Sequence, residues 1–127
     1  SLDFAGYLSF FPYLTFSDVA IIDAEDYEII SKLCYKNVEK MCMEENWRVE
    51  FLPIRVAEIF PDLIEYDAAK CSIRKVKNEN FRRLRKLEEI SLWKNQIDEI
   101  EEGAFEEQIE LMKLDLSHNN HIDYKKR

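Results

Sequence analysis

The chain has 127 residues, enough for one domain with a modest core, and 46% hydrophobic with 13% aromatic residues argues against a disordered tail. Its formal charge of -8 repels phosphate backbones and anionic lipid surfaces, so nucleic acid and bare membrane are excluded as default partners. No uninterrupted apolar run reaches the length of a membrane-spanning helix, and with only 2 Gly and 3 Pro long turn-rich loops are not expected.

The first stretch is strongly aromatic, with Phe4, Tyr7, Phe10, Phe11, Tyr13 and Phe16. It lacks the basic start of a signal peptide and carries Asp3 instead, so it is expected to pack onto the domain or onto a partner. Residues 24–43 mix helix and strand signals, with Ile29, Ile30, Leu33 and Val38 able to share one helix face. Arg48-Val49-Glu50-Phe51 reads as a strand with Val49 and Phe51 inward.

From there the sequence repeats itself. Leu63, Leu87 and Leu111 recur at a step of about 24 residues, and so do Tyr66, Ile90 and Leu114, and Ala68, Leu92 and Leu116. Phe81 and Phe105 precede the second and third openings at matching offsets. The apolar-x-apolar centre of each unit is expected to be a short strand, because alternate strand side chains face one side. Each unit then turns sharply, and Asn95 and Asn119 stand where a side-chain amide can pair backbone groups otherwise buried without partners. Cys71 replaces that Asn in the first clear unit; its thiol tolerates burial but is a weaker hydrogen-bonding group. Ile73, Ile97, Val76 and Ile100 are expected to point back into the core, and Phe81 and Phe105 to fill the convex side.

The segments "FPDLIEYDAAKCSIRKV", "NFRRLRKLEEISLWKNQIDEIEEGAF" and "LMKLDLSHNN" resemble extracellular leucine-rich repeats, in particular the secreted, immune-type leucine-rich proteins of insects. The resemblance implies an α/β repeat fold: a short leucine-rich-repeat solenoid with a curved parallel sheet and an N-terminal cap. Residues 1–47 would form the aromatic segment and cap, and residues 48–127 about three repeats. After Asn119 the pattern slips, with His121 where an apolar residue belongs and Ile122 one step late, and no C-terminal cap is recognisable.

The cysteine count is 3. In a secreted domain Cys34 and Cys42 are expected to close a small disulfide loop in the cap, with Cys71 a buried thiol. The alternative is three reduced core cysteines in a cytosolic protein. The Cys34–Cys42 spacing fits neither a zinc knuckle nor a redox pair, so no metal is expected.

A solenoid usually binds partners on its concave sheet face. The outward positions form columns: Glu65, Glu89 and Lys113; Asp67, Ser91 and Asp115; Ala69, Trp93 and Ser117; Lys70, Lys94 and His118. Acidic columns thus lie beside a cationic edge with Trp93 between them. Trp93 is the expected contact residue, the alternative being that it lies against Lys70 or Lys94 as a cation–π cover. Glu65, Asp67, Glu89 and Asp115 could receive Lys or Arg from a partner, or remain a solvated acidic surface. The run Arg82, Arg83, Arg85 and Lys86 is expected to pair with Glu106 and Glu107 one repeat later.

No carboxylate pair is accompanied by a credible nucleophile, base and orienting group, and Gly6 and Gly103 stand alone, so neither an enzyme nor a cofactor is expected. The sequence points to a secreted protein-binding module of innate-immunity type whose partner is a protein, such as another leucine-rich-repeat chain. Two alternatives remain. Phe51 to Tyr66 loosely resembles the start of an F-box, which would make the chain a cytoplasmic ubiquitin-ligase adaptor, although Pro61 interrupts its helix. The other is a structural subunit of a larger assembly.

Overall fold

The computed structural model of the chain describes residues 13–15, 39–45, 47, 49–120 and 122–124. Its main feature is a five-stranded parallel sheet of three-residue strands in the order β1 (Tyr13–Thr15), β2 (Lys40–Cys42), β3 (Glu65–Asp67), β5 (Glu89–Ser91) and β7 (Lys113–Asp115). A second parallel sheet runs beside it in the order β4 (Lys75–Val76), β6 (Glu99–Ile100) and β8 (Asp123–Tyr124). One helical turn, α1 (Val56–Ile59), and a 3-10 turn at Asn78–Asn80 complete the described elements.

The register is that of a solenoid, since each strand pairs with its counterpart one repeat away: Tyr66 with Ile90, Ile90 with Leu114, and Val76 with Ile100. Every turn then makes the same backbone bonds to the next. Met43 N–H donates to Asp67 O, Ala68 N–H to Ser91 O and Leu92 N–H to Asp115 O. At the strand exits Glu45 N–H donates to Ala69 O, Lys70 N–H to Trp93 O and Lys94 N–H to Ser117 O. Those exits lie in left-handed backbone at Glu45, Lys70, Lys94 and His118. For residues other than glycine this conformation is costly, and it persists because the neighbouring turns over-determine it.

The core is the set of positions the period marks. Tyr66, Ile90, Leu92, Leu63, Leu87, Ile73, Ile97, Val76 and Ile100 are all buried. Phe81 is buried against Tyr66 edge to face, with ring centroids 4.9 Å apart, and against the half-buried Phe105 at 5.3 Å. Asn95 performs the expected task in full. Its Oδ1 accepts from Cys71 and Ile73 N–H, each at 3.1 Å, while its Nδ2 donates to Ala68 O and Leu92 O. Asn119 repeats this with Ile97 N–H, Leu92 O and Leu116 O. Cys71 keeps one of these bonds: its buried thiol donates to Met43 O, which is to Cys71 what Ala68 O is to Asn95.

Three expectations are corrected. The sheet does not stop at residue 48, because β1 and β2 extend it in parallel register through the stretch read as cap. Arg48 to Phe51 is not one of its strands. Val49 is buried, but it answers to Ile73, since Ser72 N–H bonds Val49 O as Gln96 N–H bonds Ile73 O. Phe51 is 54% exposed rather than inward, while Leu52 fills the core. Ala69, assigned outward, is buried. Within the F-box-like stretch only the single turn α1 is helical, ending at Phe60 before Pro61 as proline requires, and β3 follows as a strand of the solenoid.

Two buried side chains outside the repeat pattern also stitch turns together. Asn80 accepts from Lys77 N–H and donates to Leu52 O and Pro53 O; Gln108 donates to Phe81 O and Leu84 O. Three buried side-chain atoms have no hydrogen-bond partner among the described residues: Asn78 Oδ1, Gln108 Oε1 and the Tyr66 hydroxyl, whose pKa burial pushes well above the ordinary value. Replacing Tyr66 with Phe removes this unpaired group and is expected to leave stability unchanged or raise it by about 1 kcal/mol in denaturant titration. A loss of comparable size would mean that the hydroxyl is satisfied.

Candidate binding face

The outward positions of the long sheet line up as the register demands. Lys40, Glu65, Glu89 and Lys113 form one column, and Cys42, Asp67, Ser91 and Asp115 the next. Sequence reading found these columns from residue 65 onward and missed Lys40 and Cys42. The step from β2 to β3 is one residue longer than the two that follow it, which hides β2 from a search at constant period.

The first column alternates as cation, two carboxylates, cation. Lys40 Nζ lies 3.3 Å from Glu65, and this hydrogen-bonded pairing raises the Lys40 pKa against the opposing effect of burial. Glu89 lies next to Glu65 on the neighbouring strand and has no salt-bridge partner among the described residues. Adjacent like charges on one sheet face repel, and Lys113, next to Glu89 on β7, forms no salt bridge with it. In the second column Asp67 and Asp115 have the same local duty. Asp67 Oδ1 accepts from Ala69 N–H at 3.0 Å, and Asp115 Oδ1 accepts from Ser117 N–H at 3.0 Å and Ser117 Oγ–H at 2.6 Å. Each carboxylate thereby fixes the turn that leaves its strand. Between the columns lies a hollow of about 240 Å³ floored by Tyr66 and Ile90 and walled by Glu65, Glu89, Lys40 and Lys113.

Trp93 lies two residues beyond Ser91, at the exit of β5, and is half-exposed. Its indole N–H donates to His118 Nδ1 at 2.9 Å, with the two rings edge to face at 5.4 Å. Lys70 Nζ lies 5.2 Å and Lys94 Nζ 5.9 Å from its ring centre, and Lys70 also bonds Glu45 at 3.0 Å. Trp93 thus carries the cation–π cover that the sequence offered as the alternative, while remaining half-exposed. Such contacts at exposed sites contribute about 0.5–1 kcal/mol, small enough for a partner to displace them.

Elsewhere, the basic run on the convex side is partly neutralised within the chain: Arg85 lies 3.5 Å from Glu107, and Lys86 2.7 Å from Asp62. Cys42 is a half-buried thiol of the sheet face whose pKa is raised by burial, and Cys34 lies outside the described residues. The aromatic segment before Tyr13 lies outside them as well. Among the described residues no group of His, Cys, Asp or Glu is placed to hold a metal ion, and no helix is long and apolar enough to cross a membrane.

Bonds from the Ser117 hydroxyl and amide hold the Asp115 carboxyl below its ordinary pKa. A depressed carboxyl stabilises the fold above its unfolded pKa, and that contribution is lost as pH falls through the folded value. Ser117→Ala is expected to raise the Asp115 pKa, so protonation sets in at higher pH in an NMR titration of the side-chain carboxyl. An unchanged titration would show that the amide bond alone sets the value.

Residues 69–122 match the family described as Leucine rich repeat. The fold is similar to that in the crystal structure of a TLR13-ssRNA13 complex, with a TM-score of 0.64 and 16% sequence identity. The match covers 95% of this chain and 21% of that one, so the chain spans about a fifth of the length of its structural neighbour. No curated protein sequence matches the chain. The fold is a short leucine-rich-repeat solenoid.

Proposed function

We propose that the chain is a protein-binding module whose long sheet face receives a basic segment of a partner protein. The observation that carries this reading is Glu89, a carboxylate without a salt bridge among the described residues, beside Glu65 and at the wall of an open hollow. A partner Lys or Arg placed there would relieve the repulsion between the two glutamates, with Asp67, Ser91 and Asp115 as polar neighbours. Trp93 would be the apolar anchor at the edge of the contact, with Lys94, Lys113 and Ser117 on its border. Binding rather than catalysis is the reading, because no nucleophile–base pair stands among the described residues of this face. The RNA named with the structural neighbour is not carried over, since the net charge of -8 and the paired glutamates repel a phosphate backbone.

Two variants with unchanged circular dichroism test this reading, Glu89→Lys on the sheet face and Arg82→Ala on the convex side. A panel of immobilised peptides of graded positive charge is the probe. Retention by the parent chain that rises with peptide charge, falls about tenfold or more in Glu89→Lys and survives Arg82→Ala supports it. Equal retention by all three proteins sinks it. Trp93→Ala should weaken retention without lowering the melting temperature by more than a few degrees.

The setting we propose is extracellular and immune-related, with a Cys34–Cys42 disulfide and Cys71 as a buried thiol. Support comes from the resemblance of the repeats to secreted insect proteins and from a Toll-like receptor as structural neighbour. Intact mass of protein from its native source, alkylated with and without reduction, is expected to show one bridge. Three alkylated thiols before reduction would place the chain in a reducing compartment.

A further inference from the structure

The flank of the solenoid carries one residue that breaks the charge pattern of its column. Val49 answers to Ile73, so Phe51 answers to Lys75, which pairs in turn with Glu99 on β6. The two later turns thus place a charge at this outward position, whereas this turn places a phenyl ring that is 54% exposed. Beside the ring a hollow of about 620 Å³ opens between residues 50–54 and 74–80, with Phe51, Leu52 and Ile54 as its apolar wall. That volume falls within the ~300–1,000 Å³ usual for small-molecule sites. The two walls are tied together by Asn80, a buried side chain of the lining. Its Nδ2 donates to Leu52 O and Pro53 O on one wall, and its Oδ1 accepts from Lys77 N–H on the other. The walls therefore keep their spacing without a ligand, which lowers the cost of binding one.

The opposite wall is cationic. Lys75 and Lys77 flank the buried Val76 in extended backbone, so alternation turns both outward, and both are exposed. Neither forms a salt bridge among the described residues, while the third cation of the rim, Arg74, lies 3.8 Å from Asp98. An apolar wall across from two such ammonium groups fits a ligand with an apolar body and an anionic head. Glu50 and Glu79 stand on the same rim and repel a multiply charged group such as phosphate, so a single carboxylate is the head that fits. We infer that this flank hollow binds a small monocarboxylate with an apolar body. The body lies against Phe51, Leu52 and Ile54, and the carboxylate sits between Lys75 and Lys77. The inference does not rest on the basic-partner reading, since none of these residues belongs to the long sheet.

The experiment is an amide NMR titration of the whole chain with octanoate, octylammonium and acetate, which separate the head from the body. Octanoate is expected to saturate at millimolar concentration, with shifts centred on Phe51, Ile54, Lys75 and Lys77. Acetate and octylammonium should each bind about tenfold or more weakly than octanoate. Phe51→Ser removes most of the apolar wall and should weaken octanoate about fivefold or more. The double reversal Lys75→Glu/Lys77→Glu should weaken octanoate about tenfold and make octylammonium the tighter ligand. Both variants change exposed side chains, so their circular dichroism should match the parent. No saturable shift, equal binding of octanoate and octylammonium, or shifts centred on the long sheet overturns the inference. A double reversal that still prefers octanoate overturns it too. Tighter binding of a blocked Phe-Glu dipeptide than of octanoate also overturns it, and assigns the hollow to an acidic protein segment.

Discussion

Everything in this fold depends on pairing the backbone groups of a turn that repeats in the interior. A chain that reverses direction after a three-residue strand leaves N–H and C=O groups facing the core, where each unpaired group costs about 1–3 kcal/mol. Asn95 removes that cost for two neighbouring turns at once, because a planar amide offers both donors and acceptors at fixed angles. Once the turn is satisfied, the strands are drawn into parallel register and their alternate side chains must face a common core. The sheet face, with its columns of charge, follows from the same register.

The thiol of Cys71 shows how much of this arrangement is required and how much is redundant. It supplies the bond to the preceding turn that the Asn amide supplies elsewhere, from Cys71 Sγ to Met43 O at 3.0 Å. The register between β2 and β3 survives the substitution, although the exit from β2 takes one more residue than the later ones. Asn80 and Gln108 reinforce the opposite side of the solenoid with bonds to the carbonyls of the turn before. The stack is thus tied on both flanks, and its face can hold two adjacent glutamates without collapsing.

The same geometry explains how the long sheet presents its charges. Across the face, side chains stand on strands held from both sides, so their spacing is rigid and their charges are presented in fixed columns. A charged column attracts a partner by complementarity of pattern.

Sequence alone determined the positions that every turn must fill in the same way. Leu63 and Leu87, Tyr66 and Ile90, and Asn95 and Asn119 recur because each turn meets the same packing and the same backbone demand, and periodic demand leaves periodic letters. The columns from Glu65 to Lys113 and from Asp67 to Asp115 follow from that register and could be read before any coordinates. Only the tertiary structure decided what the period does not govern. The extra residue after β2 broke the step and concealed Lys40 and Cys42, while Leu52, one regular step before Val76, fills the core in place of the strand-alternate Phe51. Asn80 and Gln108 do not recur, so nothing in the pattern marked them as ties between turns. The cover of Lys70, Lys94 and His118 around Trp93 depends on side chains about 24 residues apart meeting across neighbouring strands, and such meetings are set by rotamers and packing, not by spacing.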